Sequence, residues 1–173
     1  MKNDPDDDVI SATPYDADFY IWTQEQAALL RKLPRGAFAL DIDHIAEEIE
    51  DMGRSEVSKV SSLLRQVLIH LLLKLVTEPD SPSREHWLSE ILTFQSDALL
   101  VFTPGMKQRI DLDRVWKTVL NTASRISADK RIEIPRLPAD CPLTLDDLLA
   151  ANFDPGHCAR LMEASIRATD RSR

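Results

Sequence analysis

The chain is poor in glycine and poorer still in cysteine. Four Gly stand against ten Pro in 173 residues, and no Gly-rich phosphate loop, GxSxG elbow, HExxH helix or EF-hand loop occurs. Collagen-like and low-complexity classes are excluded by the same composition. Only Cys141 and Cys158 are present, in no Cys-x2-Cys or Cys/His ladder. Neither a disulfide framework nor a structural zinc site is signalled, and a reducing cytoplasm is the expected compartment. A basic excess is lacking too: 29 acids against 21 bases give a net charge of -8, so no global field gathers phosphate backbones and no nucleic-acid partner is expected. The local groups Arg125, Lys130, Arg131, Arg136 and Arg160, Arg167, Arg171, Arg173 read as solvated surface. Long apolar runs are missing. The longest, Val67 to Val76, is broken by His70 and Lys74 and falls short of the ~20 residues that span a bilayer. The start, with Asp4, Asp6, Asp7 and Asp8, is acidic where a signal peptide is basic then apolar. A soluble, cytoplasmic protein with no membrane partner is expected.

What is present is a core-forming chain, 43% hydrophobic, of a length that suits one domain. Residues 1–12 are acidic with little to bury and are expected to form a mobile tail. Thr13, Pro14 and Asp16 have the pattern of a helix cap, a first-turn proline and a capping-box acid. Tyr15, Phe19, Trp22, Gln26, Leu29 and Leu33 follow on one face, and Pro34 to Gly36 ends the segment. Asp41 caps a second helix whose stripe runs through Ile42, Ile45, Ile49, Met52, Val60, Leu63, Val67, Leu71 and Leu75, roughly 37 residues and ~55 Å long. Gly53 is its interior weak point and marks either a bend or a close approach by a neighbour. Ser81 and Pro82 start a third helix with a face of Trp87, Ile91, Phe94, Ala98 and Val101. Asp111 caps a fourth, facing inward through Val115, Trp116, Val119, Ala123 and Ile126. Pro135 and Pro138 hold an extended connector, Thr144 to Asp147 is a capping box for a short helix, and Asp154 with Pro155 begins a last one.

No strand-like alternation appears. The class is all-α: an up-and-down bundle of about four long helices over residues 13–153, with an extended connector and short helices, and a partly helical extension over 154–173. Trp22, Trp87 and Trp116 are expected to anchor the core.

Polar residues interrupt the second helix's stripe. Glu56 falls near its middle, Lys74 shares nearly that direction and His70 lies on its shoulder, and such groups need partners or water. His86 and Glu90 lie four apart on the third helix. If the two helices run antiparallel about a turn near residue 80, His70 stands level with Glu90 and Lys74 with His86. Two imidazoles and a carboxylate are donors for a divalent transition metal, so His70, His86 and Glu90 form a candidate metal site, with Lys74 and Glu56 as further members of the polar seam. The alternative is a charged hydrogen bond between His70 and Glu90 that fixes register. Arg65 and His70 match the Arg-x4–6-His spacing of the HEPN ribonucleases loosely, but on a straight helix they lie roughly 140° apart. Cys158, beside His157, reads as an exposed bystander.

Several stretches in order are similar to the bacterial "domain of unknown function 29" family: residues 15–31 (YDADFYIWTQEQAALLR), 47–56 (EEIEDMGRSE), 70–74 (HLLLK), His86 and Trp87 with Glu90, 102–110 (FTPGMKQRI) and 141–145 (CPLTL). The likeness spans about residues 15 to 153. It implies a bacterial, helical, stand-alone domain and carries over no activity, substrate or catalytic residue. Lys74 follows His70 by four residues where some members have three, so the lysine's role does not transfer.

The function expected from these readings is that of a helical interaction module without cofactor, pairing with itself or with another protein. A metal-dependent, hydrolase-like enzyme built on His70, His86 and Glu90 is the alternative. Whether the chain is an enzyme stays open at this point.

Overall fold

The computed structural model describes residues 13–34, 39–130 and 133–171. The expected acidic tail at 1–12, and Arg35 and Gly36 of the first linker, lie outside the described residues. Helices are the regular structure of the chain, with no strand among the described residues: α1 (Phe19–Leu30), α2 (Ile42–Val76), α3 (Ser83–Val101), a 3-10 turn (Pro104–Met106), α4 (Leu112–Lys130), α5 (Leu145–Leu148) and α6 (Pro155–Arg171).

Local signals in the sequence set most of the boundaries. Asp41 caps α2 by accepting the His44 N–H at 3.3 Å, and Asp111 caps α4 by accepting the Arg114 N–H at 2.9 Å. Thr144 and Asp147 close the reciprocal capping box of α5. The start of α1 differs from expectation. Thr13 gives its N–H (2.7 Å) and hydroxyl (3.1 Å) to Glu25, and the cap is Asp18, whose Oδ1 accepts the Ile21 N–H at 3.0 Å. The Thr13–Pro14 pair heads a turn, closed by the Ala17 N–H on the Pro14 carbonyl at 3.0 Å, and the helix begins one turn later.

α2 is a single unbroken rod of 35 residues, ~52 Å long, and it is the axis of the fold. α1 lies along its N-terminal half, α3 runs back along its C-terminal half, and α4 and α6 cover it from other sides. The two halves of α2 therefore differ. From Val60 onward Leu64, Val67, Leu68, Ile69, Leu71, Leu72 and Leu73 are all buried, whereas the N-terminal half buries only Ala46 and Gly53. Around that hub Ile91, Met106, Trp116, Val119, Leu148 and Met162 complete the core.

The anticipated face of α1 is corrected. α1 turns Tyr20, Thr23 and Ala27 inward, not Tyr15, Phe19, Trp22, Leu29 and Leu33. The reason is a close helix crossing: a Cβ on Gly53 would collide with the Thr23 hydroxyl and stand 3.3 Å from Tyr20, so Gly53 marks an approach and not a bend. Small residues at the crossing bring the backbones together, and the large ones are pushed to the flanks. Of the three tryptophans, Trp116 alone is fully buried, with its indole N–H on the Pro138 carbonyl at 3.0 Å; Trp22 and Trp87 are half-buried. The segment from 154 is more than an extension, because Cys158, Met162 and Ile166 of α6 are buried in the common core. Cys158 is accordingly not an exposed bystander. Burial pushes its thiol and that of the half-buried Cys141 up to about 11, which leaves both as thiols at neutral pH.

Candidate functional site

The antiparallel register of α2 and α3 brings His70 to the height anticipated for it, between Trp87 and Phe94 and thus level with Glu90. What faces the imidazole is aromatic. Its ring lies 5.4 Å from Phe94, nearly parallel at 26°, and 5.4 Å from Trp87, tilted by 38°. The Nδ1 atom donates to the Gln66 carbonyl one turn back at 2.8 Å. A carbonyl can only accept, so the proton sits on Nδ1, and the ring behaves as a flat group closing the seam between two rings. His86 is exposed and rests on the ring of its neighbour Trp87 at 4.8 Å. Glu90 and Lys74 are half-buried and make no hydrogen bond or ion pair among the described residues. No group of three or more His, Cys, Asp or Glu side chains placed to hold a metal ion exists among the described residues. The expected set of His70, His86 and Glu90 is therefore not gathered into a ligand sphere, and no His70–Glu90 hydrogen bond fixes the register. The imidazole is engaged instead by ring contacts with Phe94 and Trp87.

Glu56 sits apart from these groups. It is half-buried at the edge of a cleft of about 440 Å³ lined by Tyr15 of the turn before α1, Phe19 of α1, and Leu100, Val101 and Met106. Tyr15 packs edge-on against Trp22 at 4.9 Å and Phe19 at 5.3 Å, and Phe19 and Trp22 stack on each other at 6.0 Å.

Two polar arrangements escaped the sequence reading. The first is Asp18, a buried carboxylate that accepts the Ile21 N–H, the Thr103 hydroxyl (2.7 Å) and the Gly105 N–H (2.7 Å). It ties the start of α1 to the 3-10 turn, and a Cβ on Gly105 would run into Ile21 and stand 2.8 Å from Asp18 Oδ2. Burial alone would raise the acid's pKa, but its hydrogen bonds to Ile21, Thr103 and Gly105 hold it below the ordinary 3.8. The second is a cleft of about 390 Å³ where α2 meets α4, with Arg65, Arg109 and Arg114 among its walls. Arg65 and His70 thus serve different surroundings on different faces of α2, as their angular separation implied.

Among the described residues no helix is long and apolar enough to cross a membrane. No curated protein matches the chain. In structure and sequence it is similar to an α-helical protein of unknown function from Rhodospirillum rubrum ATCC 11170. The two are 34% identical and superpose with a TM-score of 0.75, covering 86% of this chain and 96% of that one. The profile of a family described as a domain of unknown function, DUF29, matches residues 14–154. With most of its folded length matched in this way, the chain belongs to the DUF29 family.

Proposed function

We propose that this chain is a bacterial, cytoplasmic interaction module whose partner is a second copy of itself, joined along the N-terminal half of α2. The supporting observation is an open apolar flank where, among the described residues, α2 has only α1 beside it. There Ile45 is 38% and Met52 50% exposed, with Leu29, Leu33 and Leu40 exposed nearby. A two-helix arm of this kind cannot bury its flank alone, and a second arm completes a four-helix layer.

Charge and spacing favour a self-complementary pairing. Asp41, Ile45, Glu48, Met52, Ser55 and Lys59 are all exposed, and their alternating steps of four and three form one ridge about five turns long. It carries an acid at one end and a base at the other. Antiparallel pairing about Glu50 sets Asp41 against Lys59, Ile45 against Ser55 and Glu48 against Met52, the isologous geometry of a two-fold dimer. The relative in Rhodospirillum rubrum supports the bacterial origin, and two cysteines left as free thiols support a reducing compartment.

Sedimentation of the full chain tests the reading. The expected result is a species of twice the 19.6 kDa chain mass, converted to monomer by Met52→Glu and weakened by Lys59→Glu, with helix content retained in both. A wild-type chain that stays monomeric well above micromolar concentration refutes it, as does a dimer indifferent to Met52→Glu.

A further inference from the structure

We infer that the cleft between α2 and α4 is a binding site for a small phosphorylated polyol, a phosphomonoester on a hydroxylated carbon skeleton of sugar-phosphate size. The cleft brings together Arg65 of α2, Arg109 from the turn before α4 and Arg114 of α4, with Ser58, Ser61, Ser62 and Thr118 around them. In a chain of net charge -8 such a gathering calls for a reason. Elsewhere Arg31, Arg54, Arg160 and Arg167 each pair with a carboxylate, whereas Arg84, Arg125, Arg136 and Arg171 do not among the described residues. None of the three cleft arginines has a carboxylate within ion-pair distance among the described residues, and the one polar side-chain contact among them is Arg65 Nη2 to Ser62 Oγ at 3.2 Å. The acid on the cleft wall, Asp111, is engaged as the cap of α4 through the Arg114 N–H. Three cations share the cleft with the single carboxylate of Asp111, and a phosphate dianion offsets the remaining positive charge through planar, charge-assisted hydrogen bonds. The first turn of α4 borders the same space and adds the positive end of its dipole.

The hydroxyls specify the remainder of the ligand. Ser61 donates to the Val57 carbonyl (2.9 Å) and Thr118 to the Arg114 carbonyl (3.1 Å), so what they offer the cleft is acceptor lone pairs. An acceptor beside a phosphate site receives an O–H, not a second anion. Among the described residues no aromatic side chain lines the cleft, which instead has Val57 and Val115 as its apolar wall. A nucleobase therefore finds no stacking surface, and a compact polyol fits better than a nucleotide. None of the lining residues belongs to the α2 ridge assigned to self-association, so the two readings stand or fall separately.

Calorimetry on the full chain with glucose 6-phosphate, inorganic phosphate and glucose tests the assignment. Expected are saturable one-to-one binding of glucose 6-phosphate, weaker binding of inorganic phosphate and none of glucose. Arg109→Gln and Arg114→Gln, both exposed positions, should keep the wild-type melting profile and weaken glucose 6-phosphate at least tenfold each. Absence of binding by glucose 6-phosphate overturns the site, and so does unchanged affinity in the doubly substituted protein. Glucose binding as tightly as its phosphate removes the role of the arginines. Inorganic phosphate binding as tightly as the ester removes the role of the hydroxyls. A single-stranded oligonucleotide that binds where glucose 6-phosphate does not overturns the small-molecule assignment.

Discussion

Replacing Asp18 by alanine should destabilise the protein by about 3 to 5 kcal/mol, the largest loss expected from any one polar side chain here. The residue accepts three hydrogen bonds, from the Ile21 N–H (3.0 Å), the Thr103 hydroxyl (2.7 Å) and the Gly105 N–H (2.7 Å), in a place where it is only 8% exposed. Bonds to a charged acceptor contribute roughly 1.5 to 3 kcal/mol each, their sum is not additive, and loss of an N-cap alone costs about 1 kcal/mol. Asp18→Asn is the sharper probe. Its amide nitrogen must replace one carboxylate oxygen and then faces a donor, leaving the Gly105 or the Ile21 N–H unmet at a cost of about 1 to 3 kcal/mol. The pH dependence has a definite sign. Hydrogen bonding outweighs burial and lowers the folded pKa below 3.8. The stabilisation is thus present above the unfolded value and is lost as pH falls through the folded one. Denaturant titrations of wild type and Asp18→Asn at neutral pH and between about pH 4 and 2 separate the terms, and the difference between the two proteins should shrink in acid. A loss below about 1 kcal/mol for Asp18→Ala, or a difference between wild type and Asp18→Asn that does not change with pH, refutes the reasoning.

Gly53→Ala should cost about 1 to 3 kcal/mol by overpacking against Thr23, and Thr23→Ala made in the same chain should recover part of it in a double-mutant cycle by chemical denaturation. Trp116→Ala should cost about 3 to 5 kcal/mol, with Trp22→Ala and Trp87→Ala clearly less, because Trp116 alone is fully enclosed; thermal melts of the three variants give the order. His44 donates to Asp41 at 2.6 Å, and that bond, reinforced by the acid's charge, raises its pKa above 6.5. Its contribution to stability is complete below the unfolded value and disappears as pH rises through the folded one. An NMR titration should place the midpoint above 6.5 in wild type and return it toward 6.5 in Asp41→Asn.

Features that depend on neighbours in sequence could be read in advance, and features that depend on tertiary approach could not. Asp41, Asp111 and the Thr144–Asp147 box act over three residues, so their caps were visible as spacing. The α4 face was visible too, because Val115, Trp116, Val119 and Ala123 meet a broad apolar wall. α1 misled because periodicity weighs residues by hydrophobicity, whereas packing on α2 selected Tyr20, Thr23 and Ala27 to fit against Gly53. The N-terminal part of α2 misled likewise: Ile45 and Met52 belong to the apolar stripe, but no element among the described residues covers them. Asp18 was hidden because its partners lie at Thr103 and Gly105, far along the chain. For His70 the antiparallel height was legible and the chemistry was not, since Trp87 and Phe94 were counted as core and not as the imidazole's neighbours. The arginine cleft draws on three elements, and nothing in the letters around Arg65, Arg109 or Arg114 announces the others.

An uninterrupted α2 also works as a ruler. Glu50 and Arg65 are separated along it by ~22 Å, so two copies paired antiparallel about Glu50 would carry their arginine clefts ~45 Å apart along the common axis. No sugar phosphate reaches across such a gap. Each copy would fill its own cleft without competing with the other, and the pair would present two anion-loaded stations at a spacing set by helix pitch alone.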